Sequence, residues 1–66
     1  MKIIVNGQPK ELLSSINLQN LIKESCKNGQ HVIAEVNGDI VKHQAWAAHS
    51  IKDGDQIELV SIVGGG

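Results

Sequence analysis

The apolar residues of this chain follow two different periods, and the change of period predicts where its elements begin and end. Residues 2–6 are a β-branched run typical of a strand, and the Asn6-Gly7 pair that ends it is the signature of a tight hairpin turn. Residues 8–13 are predicted to return antiparallel. Pro9 would then lie near the start of that strand or on a sheet edge, because proline lacks a backbone N–H.

From Asn17 onward the apolar spacing becomes helical. The stripe occupies positions i, i+3, i+4 and i+7, namely Leu18, Leu21, Ile22 and Ser25. Asn17 is a favourable N-cap, so one amphipathic helix is predicted to begin there. The same helix is predicted to end near Lys27, where Asn28-Gly29 could supply a left-handed cap.

The second half of the chain returns to strand-like patterns. Residues 31–37 predict a third strand, Asn37-Gly38 repeats the hairpin signal, and residues 40–41 predict a brief fourth strand. Residues 44–49 leave no room for a long element. A single helical turn is expected there, with Trp46 covering one end of the core.

The last strand is predicted over residues 56–63, after a turn at residues 53–55. One of its faces carries Ile57, Leu59, Ser61 and Val63, and the other carries Glu58, Val60 and Ile62. Because one helix cannot cover both faces of a sheet, the economical arrangement is α+β: a single mixed sheet packed on one side by the helix. The last strand is expected to lie beside the first.

Composition limits what such a fold can do. The chain has 66 residues, which predicts one small domain, residues 1–63, followed by a flexible glycine tail, residues 64–66. Trp46 is the only aromatic residue, and the formal net charge is -1 with no arginine, so neither a base-stacking platform nor a basic footprint is present. Nucleic-acid and membrane partners are therefore disfavoured, and a cytoplasmic protein that is monomeric when free is expected.

Few side chains offer chemistry of their own. The single cysteine, Cys26, lies near the predicted helix C-terminus, where the helix dipole disfavours a thiolate, so a structural role is the better interpretation. His31, His43 and His49 lack the paired spacing of a zinc site. The acids of residues 53–55 flank a glycine as turn residues do, without a third oxygen-rich position for calcium. No catalytic residue, metal or bound cofactor is expected in this chain.

The chemically informative stretch is the tail, Gly64-Gly65-Gly66. Glycines carry no β-carbon, and three of them extend roughly 10 Å, so they could thread a narrow channel and present only the Gly66 carboxylate. That anion must be activated, for instance as an acyl adenylate, before it can accept a sulfur nucleophile. The alternative is a solvated tail with no function.

Val60 and Ile62 precede the tail on the sheet face that the helix leaves uncovered. An apolar patch beside a presented terminus suggests a surface for docking a partner. The alternative is that these residues contact Ile4 or Ile33 across the sheet.

Taken together, these features resemble the ubiquitin-like β-grasp sulfur carriers, and most closely those of thiamine biosynthesis. The resemblance runs over essentially the whole chain and rests on Val5-Asn6-Gly7, Val36-Asn37-Gly38 with Ile40-Val41, Trp46, Asp53-Gly54-Asp55 with Ile57, and Val63-Gly64-Gly65-Gly66. One departure is Lys42-His43, where relatives often have Pro-Arg, which leaves open how the following helical turn begins.

The resemblance implies that an E1-like, ATP-using adenylyltransferase activates the Gly66 carboxylate, which is then converted to a thiocarboxylate. It also implies that a thiazole synthase receives the sulfur, that Gly65 and Gly66 form the family's terminal pair, and that Gly64 and Gly65 enter the partner. Three other functions stay open from the sequence: the small subunit of molybdopterin synthase, a ubiquitin-like modifier of lysines, and a plain interaction module.

Overall fold

The computed structural model describes residues 1–25 and 31–61, which form a five-stranded sheet and one α-helix. The elements in chain order are β1 (Lys2–Val5), β2 (Gln8–Glu11), α1 (Leu18–Ser25), β3 (Val32–Val36), β4 (Asp39–Val41), a 3-10 helix (His43–Ala48) and β5 (Gln56–Ser61). The strand order is β2-β1-β5-β3-β4, with β1 and β5 parallel and the other neighbours antiparallel. The α+β class, the mixed sheet and the position of the last strand beside the first are confirmed. The boundary at residues 63 and 64 lies outside the described residues and stays a prediction.

Both Asn-Gly pairs form the hairpin turns that the sequence predicts. Asn6 and Asn37 adopt φ angles of 51° and 54°, and the glycine after each is also in the positive region. A left-handed pair of this kind matches the twist of the flanking strands, and asparagine tolerates it better than most residues. Pro9 lies in β2, which is an edge strand, as its missing N–H requires.

The second strand is shorter than predicted, because it ends at Glu11 rather than Leu13. Its partner β1 begins at Lys2, which pairs with Glu11, so no strand residue remains for Leu13 to pair with. Leu12 still donates a backbone hydrogen bond to the carbonyl of Met1 and turns its side chain into the core. Leu13 is left fully exposed.

The helix begins as predicted. The Asn17 side-chain oxygen accepts a hydrogen bond of 2.8 Å from the backbone N–H of Asn20, which satisfies one of the free donors of the first turn. Three of the four stripe positions are buried, and the fourth, Ser25, is exposed. The predicted end near Lys27, the cap at Asn28-Gly29 and Cys26 all lie outside the described residues.

The core lies between the helix and one face of the sheet and is aliphatic apart from Trp46. Its buried members are Ile3, Leu12, Leu18, Leu21, Ile22, Ala34, Val36, Trp46, Ile51, Ile57 and Leu59. Trp46 lies in the 3-10 helix, which is six residues long, and its indole Nε1 donates to the carbonyl of Val41 over 2.9 Å. A helical segment that carries Trp46 over the core is therefore confirmed, but it begins at His43 and its six residues make about two 3-10 turns instead of the single turn predicted.

Lys42 explains how that helix begins without the Pro-Arg pair that similar carriers often have. Its φ angle is -68°, the value that a proline ring would impose, and its carbonyl accepts the Ala45 N–H over 2.8 Å. The edge of the His43 ring meets the Trp46 ring at 88° and 4.7 Å between centroids. A lysine therefore starts the turn with the same backbone geometry.

Candidate functional site

The candidate site is built around β5, because this strand leads toward the predicted reactive terminus. It lies in the middle of the sheet and is hydrogen-bonded to β1 on one side and β3 on the other. Ile57 and Leu59 are buried against the core as predicted, Ser61 is exposed, and Val63 lies outside the described residues. Gly64, Gly65, Gly66 and Ile62 also lie there, so their proposed roles stay predictions.

On the β1 side, Asn6 braces the strand. Its backbone N–H donates to the carbonyl of Ile57 over 2.9 Å, and its side-chain oxygen accepts the N–H of Leu59 over 2.7 Å. Asn6 thus forms the last backbone hydrogen bond between the β1 side and β5, and its side chain adds one more bond further along β5. The Asn-Gly signal predicts the turn, but it carries no information on this second role.

On the β3 side, Asn37 has the equivalent position at the start of β5. Its side-chain oxygen accepts the N–H of Gln56 over 3.0 Å, and its backbone N–H donates to the Gln56 carbonyl over 2.7 Å. Its amide nitrogen donates to Asp55, a buried acid in the turn before the strand. The sequence predicts a turn at Asp53-Gly54-Asp55, and Gly54 has the positive φ angle of 87° that favours glycine there.

The outer face of the sheet, opposite the helix, carries Val60, the one of the two apolar residues predicted to dock a partner that lies within the described residues. Val60 is 52% exposed and lies directly opposite Ile33 on β3, which is 39% exposed. The two interpretations of Val60 are therefore compatible, because it lies beside Ile33 on a face that stays open to solvent. We call Val60, Ile33 and Ile40 the outer patch.

Ile40, at 67% exposure, is a member of the outer patch that sequence reasoning missed. It lies opposite Glu35, which has the same side-chain orientation as Ile33 two residues earlier. The hairpin register after Asn37-Gly38 would have predicted this placement. Glu35 also lies opposite Glu58 on β5, so two acidic residues face each other across neighbouring strands beside the outer patch.

Neither the described histidines nor the described acids make a metal site. Within residues 1–25 and 31–61, no group of three or more His, Cys, Asp or Glu side chains could hold a metal ion. In the same part of the chain, no helix is long and apolar enough to cross a membrane.

A mixed sheet of this strand order, packed on one face by a single helix, is the ubiquitin-like β-grasp arrangement. With the glycine stretch at residues 64–66, this arrangement is the one expected of a β-grasp sulfur carrier or of a ubiquitin-like modifier. A sequence model of the ThiS family matches residues 3–66, and the chain belongs to this family of carrier proteins, which serve thiamine biosynthesis and are not enzymes.

Individual relatives agree with this assignment. The chain is 29% identical to the sulfur carrier protein ThiS of Escherichia coli, with all of both chains covered. The crystal structure of the thiamine biosynthesis protein (ThiS) from Geobacter metallireducens is 32% identical, covers all of both chains and has a TM-score of 0.84. These matches favour the thiamine pathway over molybdopterin synthase, a lysine modifier or a plain interaction module.

Another relative is much longer. The thiazole synthase of Paramagnetospirillum magneticum is 32% identical over 66 residues, and the chain spans 20% of its length. A carrier-like sequence therefore occurs within a protein named for thiazole synthesis.

Proposed function

We propose that the Gly66 carboxylate is the group that carries sulfur. A carboxylate oxygen attacks the α-phosphorus of ATP, forming an acyl adenylate and releasing pyrophosphate. Hydrosulfide then attacks the acyl carbon and AMP leaves, so the product is a thiocarboxylate. The observation that carries the proposal is that the family match extends through Gly66, the residue that this chemistry needs.

The reaction requires an E1-like adenylyltransferase of the ThiF type, which would bind ATP and supply the catalytic groups. This carrier contributes the carboxylate and a rigid mount for it. The mount is β5, which is central in the sheet and held by side chains of both hairpin turns. ATP-dependent activation agrees with a cytoplasmic location, which is part of the proposal.

The outer patch is the surface we propose for docking, together with Ile62, Gly64 and Gly65. Val60 belongs to the same strand that leads to the tail, so a partner that contacts it would also be near the terminus. Burying apolar side chains that are now exposed to water would contribute favourably to association. The tail glycines would enter the active site of the partner.

The acceptor we propose is a thiazole synthase of the ThiG type. Support comes from relatives named thiazole synthase that contain a sequence similar to this chain, although the chain spans only a fifth of their length. When the sulfur is transferred to the acceptor, the acyl carbon must gain one oxygen, from water or from the acceptor's substrate, and this restores the Gly66 carboxylate. The carrier is then ready for another cycle.

The proposal is tested by the intact mass of the protein after incubation with ATP, sulfide and the adenylyltransferase of the same organism. The expected product is heavier by the replacement of one oxygen with sulfur, and fragmentation should place the change at Gly66. A variant lacking Gly65 and Gly66 is the control and should stay unmodified although folded. An unchanged mass of the intact chain in an assay where a known carrier is modified would contradict the proposal.

A further inference from the structure

The strand that leads to the terminus extends beyond its neighbour β1. The parallel register between the two strands covers Ile4 opposite Gln56 and Val5 opposite Ile57. There β1 ends and the chain turns at Asn6-Gly7, whereas β5 continues to Ser61. The second half of β5 therefore needs a different hydrogen-bond partner on this side.

Asn6 supplies that partner. Its side-chain oxygen accepts the Leu59 N–H over 2.7 Å, where the carbonyl of a longer β1 would otherwise be needed. Side chains alternate along a strand, so holding Leu59 toward the core also holds Val60 outward on the docking face. No more than roughly 25 Å of chain separates Leu59 from Gly66, and a rotation of the strand at Leu59 would change the direction in which the chain leaves β5 relative to Val60.

We propose that Asn6 is a positioning residue for the reaction at Gly66. β3 pairs with one side of β5 as far as Ser61, and Asn6 holds the other side at Leu59, where β1 has ended. Together they fix the direction of the strand from which the terminus departs, so that the outer patch and the carboxylate can engage one partner together. The inference rests on the proposed function, because it concerns the same terminus and the same partner. It adds a residue that would act through the backbone of β5 and not through chemistry of its own.

The chain offers a matched control in Asn37. Both asparagines precede a glycine, both have a φ angle near 50°, and both accept a backbone N–H of β5 through the side-chain oxygen. Asn37 holds Gln56 at the start of the strand, whereas Asn6 holds Leu59 on the side of the tail. Glycine tolerates both backbone angles, so Asn6→Gly and Asn37→Gly each remove the side-chain bond to β5 without straining the turn. Asn37→Gly also removes the bond from the Asn37 amide to Asp55, so it is the more disruptive of the two variants and a conservative control.

The experiment measures kcat and the KM for the carrier in pyrophosphate release by the adenylyltransferase. All variants are assayed at a temperature at which circular dichroism shows each of them to be folded. In Asn6→Gly only a fraction of the molecules would hold β5 in the direction that the adenylyltransferase binds. We therefore expect the KM to rise about fivefold, with kcat nearly unchanged. The KM of Asn37→Gly should stay within about twofold of the wild-type KM, a smaller change than the loss of one positioning hydrogen bond would produce.

Two further measurements separate positioning from general loss of stability. Asn6→Asp keeps an acceptor oxygen and tolerates the left-handed angle, so it should restore the KM of the wild type. Hydrogen exchange of the Leu59 amide should accelerate in Asn6→Gly more than that of the other β5 amides, whereas Asn37→Gly should give no such local effect at Leu59.

Equal increases of KM in Asn6→Gly and Asn37→Gly, or no increase in either, would overturn the positioning role of Asn6. The proposed function would still stand in that case, because the wild-type carrier is active in the same assay. A wild-type carrier that no adenylyltransferase activates would instead remove the proposed function, and the positioning role with it. Failure of Asn6→Asp to restore the KM, while it restores the slow exchange of Leu59, would also overturn the positioning role.

Discussion

The Asn37 amide nitrogen donates a hydrogen bond to Asp55 Oδ1 over 3.0 Å, which joins the turn between β3 and β4 to the turn before β5. The other oxygen of Asp55 accepts the backbone N–H of Lys52 over 2.8 Å. These two donors explain why an acid is tolerated at a buried position, since each of its oxygens has a partner. Two loops far apart in the sequence are thereby fixed where the last strand begins.

Replacing Asp55 with alanine should lower the free energy of unfolding by about 1–3 kcal/mol, because it leaves the Lys52 N–H and the Asn37 amide without acceptors in a partly buried site. Urea denaturation followed by the fluorescence of Trp46, the only aromatic residue, measures the change. Asp53→Ala is the control. Asp53 accepts the Lys2 N–H at an exposed position, where water can replace it, so a loss below about 1 kcal/mol is expected. Equal losses in the two variants would contradict the role of burial.

Local signals predicted most of this fold because each depends on a few neighbouring residues. Asn17 as a helix cap, the two Asn-Gly turns and the Asp-Gly-Asp turn all require only a short window of sequence. The bond from Asn6 to Leu59 links residues 53 positions apart, and the bond from Asn37 to Gln56 links residues 19 apart. No periodicity encodes such a pairing, because it depends on the register of strands that meet only in the folded sheet.

The candidate site likewise has one part that local sequence predicts and one part that depends on strand pairing. Alternation along the last strand was enough to place Val60 on the open face, and its exposure confirms that part of the prediction. Ile40 was missed because a two-residue apolar run has no detectable alternation, and its face follows only from pairing with Glu35. Partner binding by Val60 and its neighbours stays a prediction.

Trp46→Phe should lower the free energy of unfolding by about 1–3 kcal/mol. The smaller ring keeps an aromatic group over the core but loses the bond from Nε1 to the Val41 carbonyl and leaves unfilled volume. Thermal unfolding followed by circular dichroism is the measurement, because this variant has no tryptophan fluorescence. His43→Ala removes only the exposed ring packed edge-on against Trp46 and should change stability by less than about 1 kcal/mol. A larger loss in His43→Ala than in Trp46→Phe would show that the ring contact, and not the indole bond, holds the 3-10 helix.

Glu58→Gln should increase stability, by about 0.2–1 kcal/mol, because Glu58 and Glu35 are like charges directly opposite each other on neighbouring strands. The repulsion is screened by salt, so the gain measured by urea denaturation should shrink at about 1 M salt. Glu35→Gln should give a similar gain, and the double variant should gain less than the sum of the two single variants, because either substitution alone removes the repulsion. Fully additive gains would mean that overall charge, rather than the cross-strand pair, is responsible.

Val60→Asp should weaken binding to the adenylyltransferase about tenfold or more, because it places a carboxylate in the apolar patch proposed to be buried against the partner. Titration calorimetry with the purified enzyme measures the affinity, and the side chain is exposed in the free carrier, so the fold should survive. Leu13→Asp is the matched control, since Leu13 is also an exposed aliphatic residue but lies in the loop after β2 instead of on the outer patch. Affinity lost equally in both variants would point to a general effect of added charge, and affinity retained by a folded Val60→Asp carrier would remove Val60 from the docking surface.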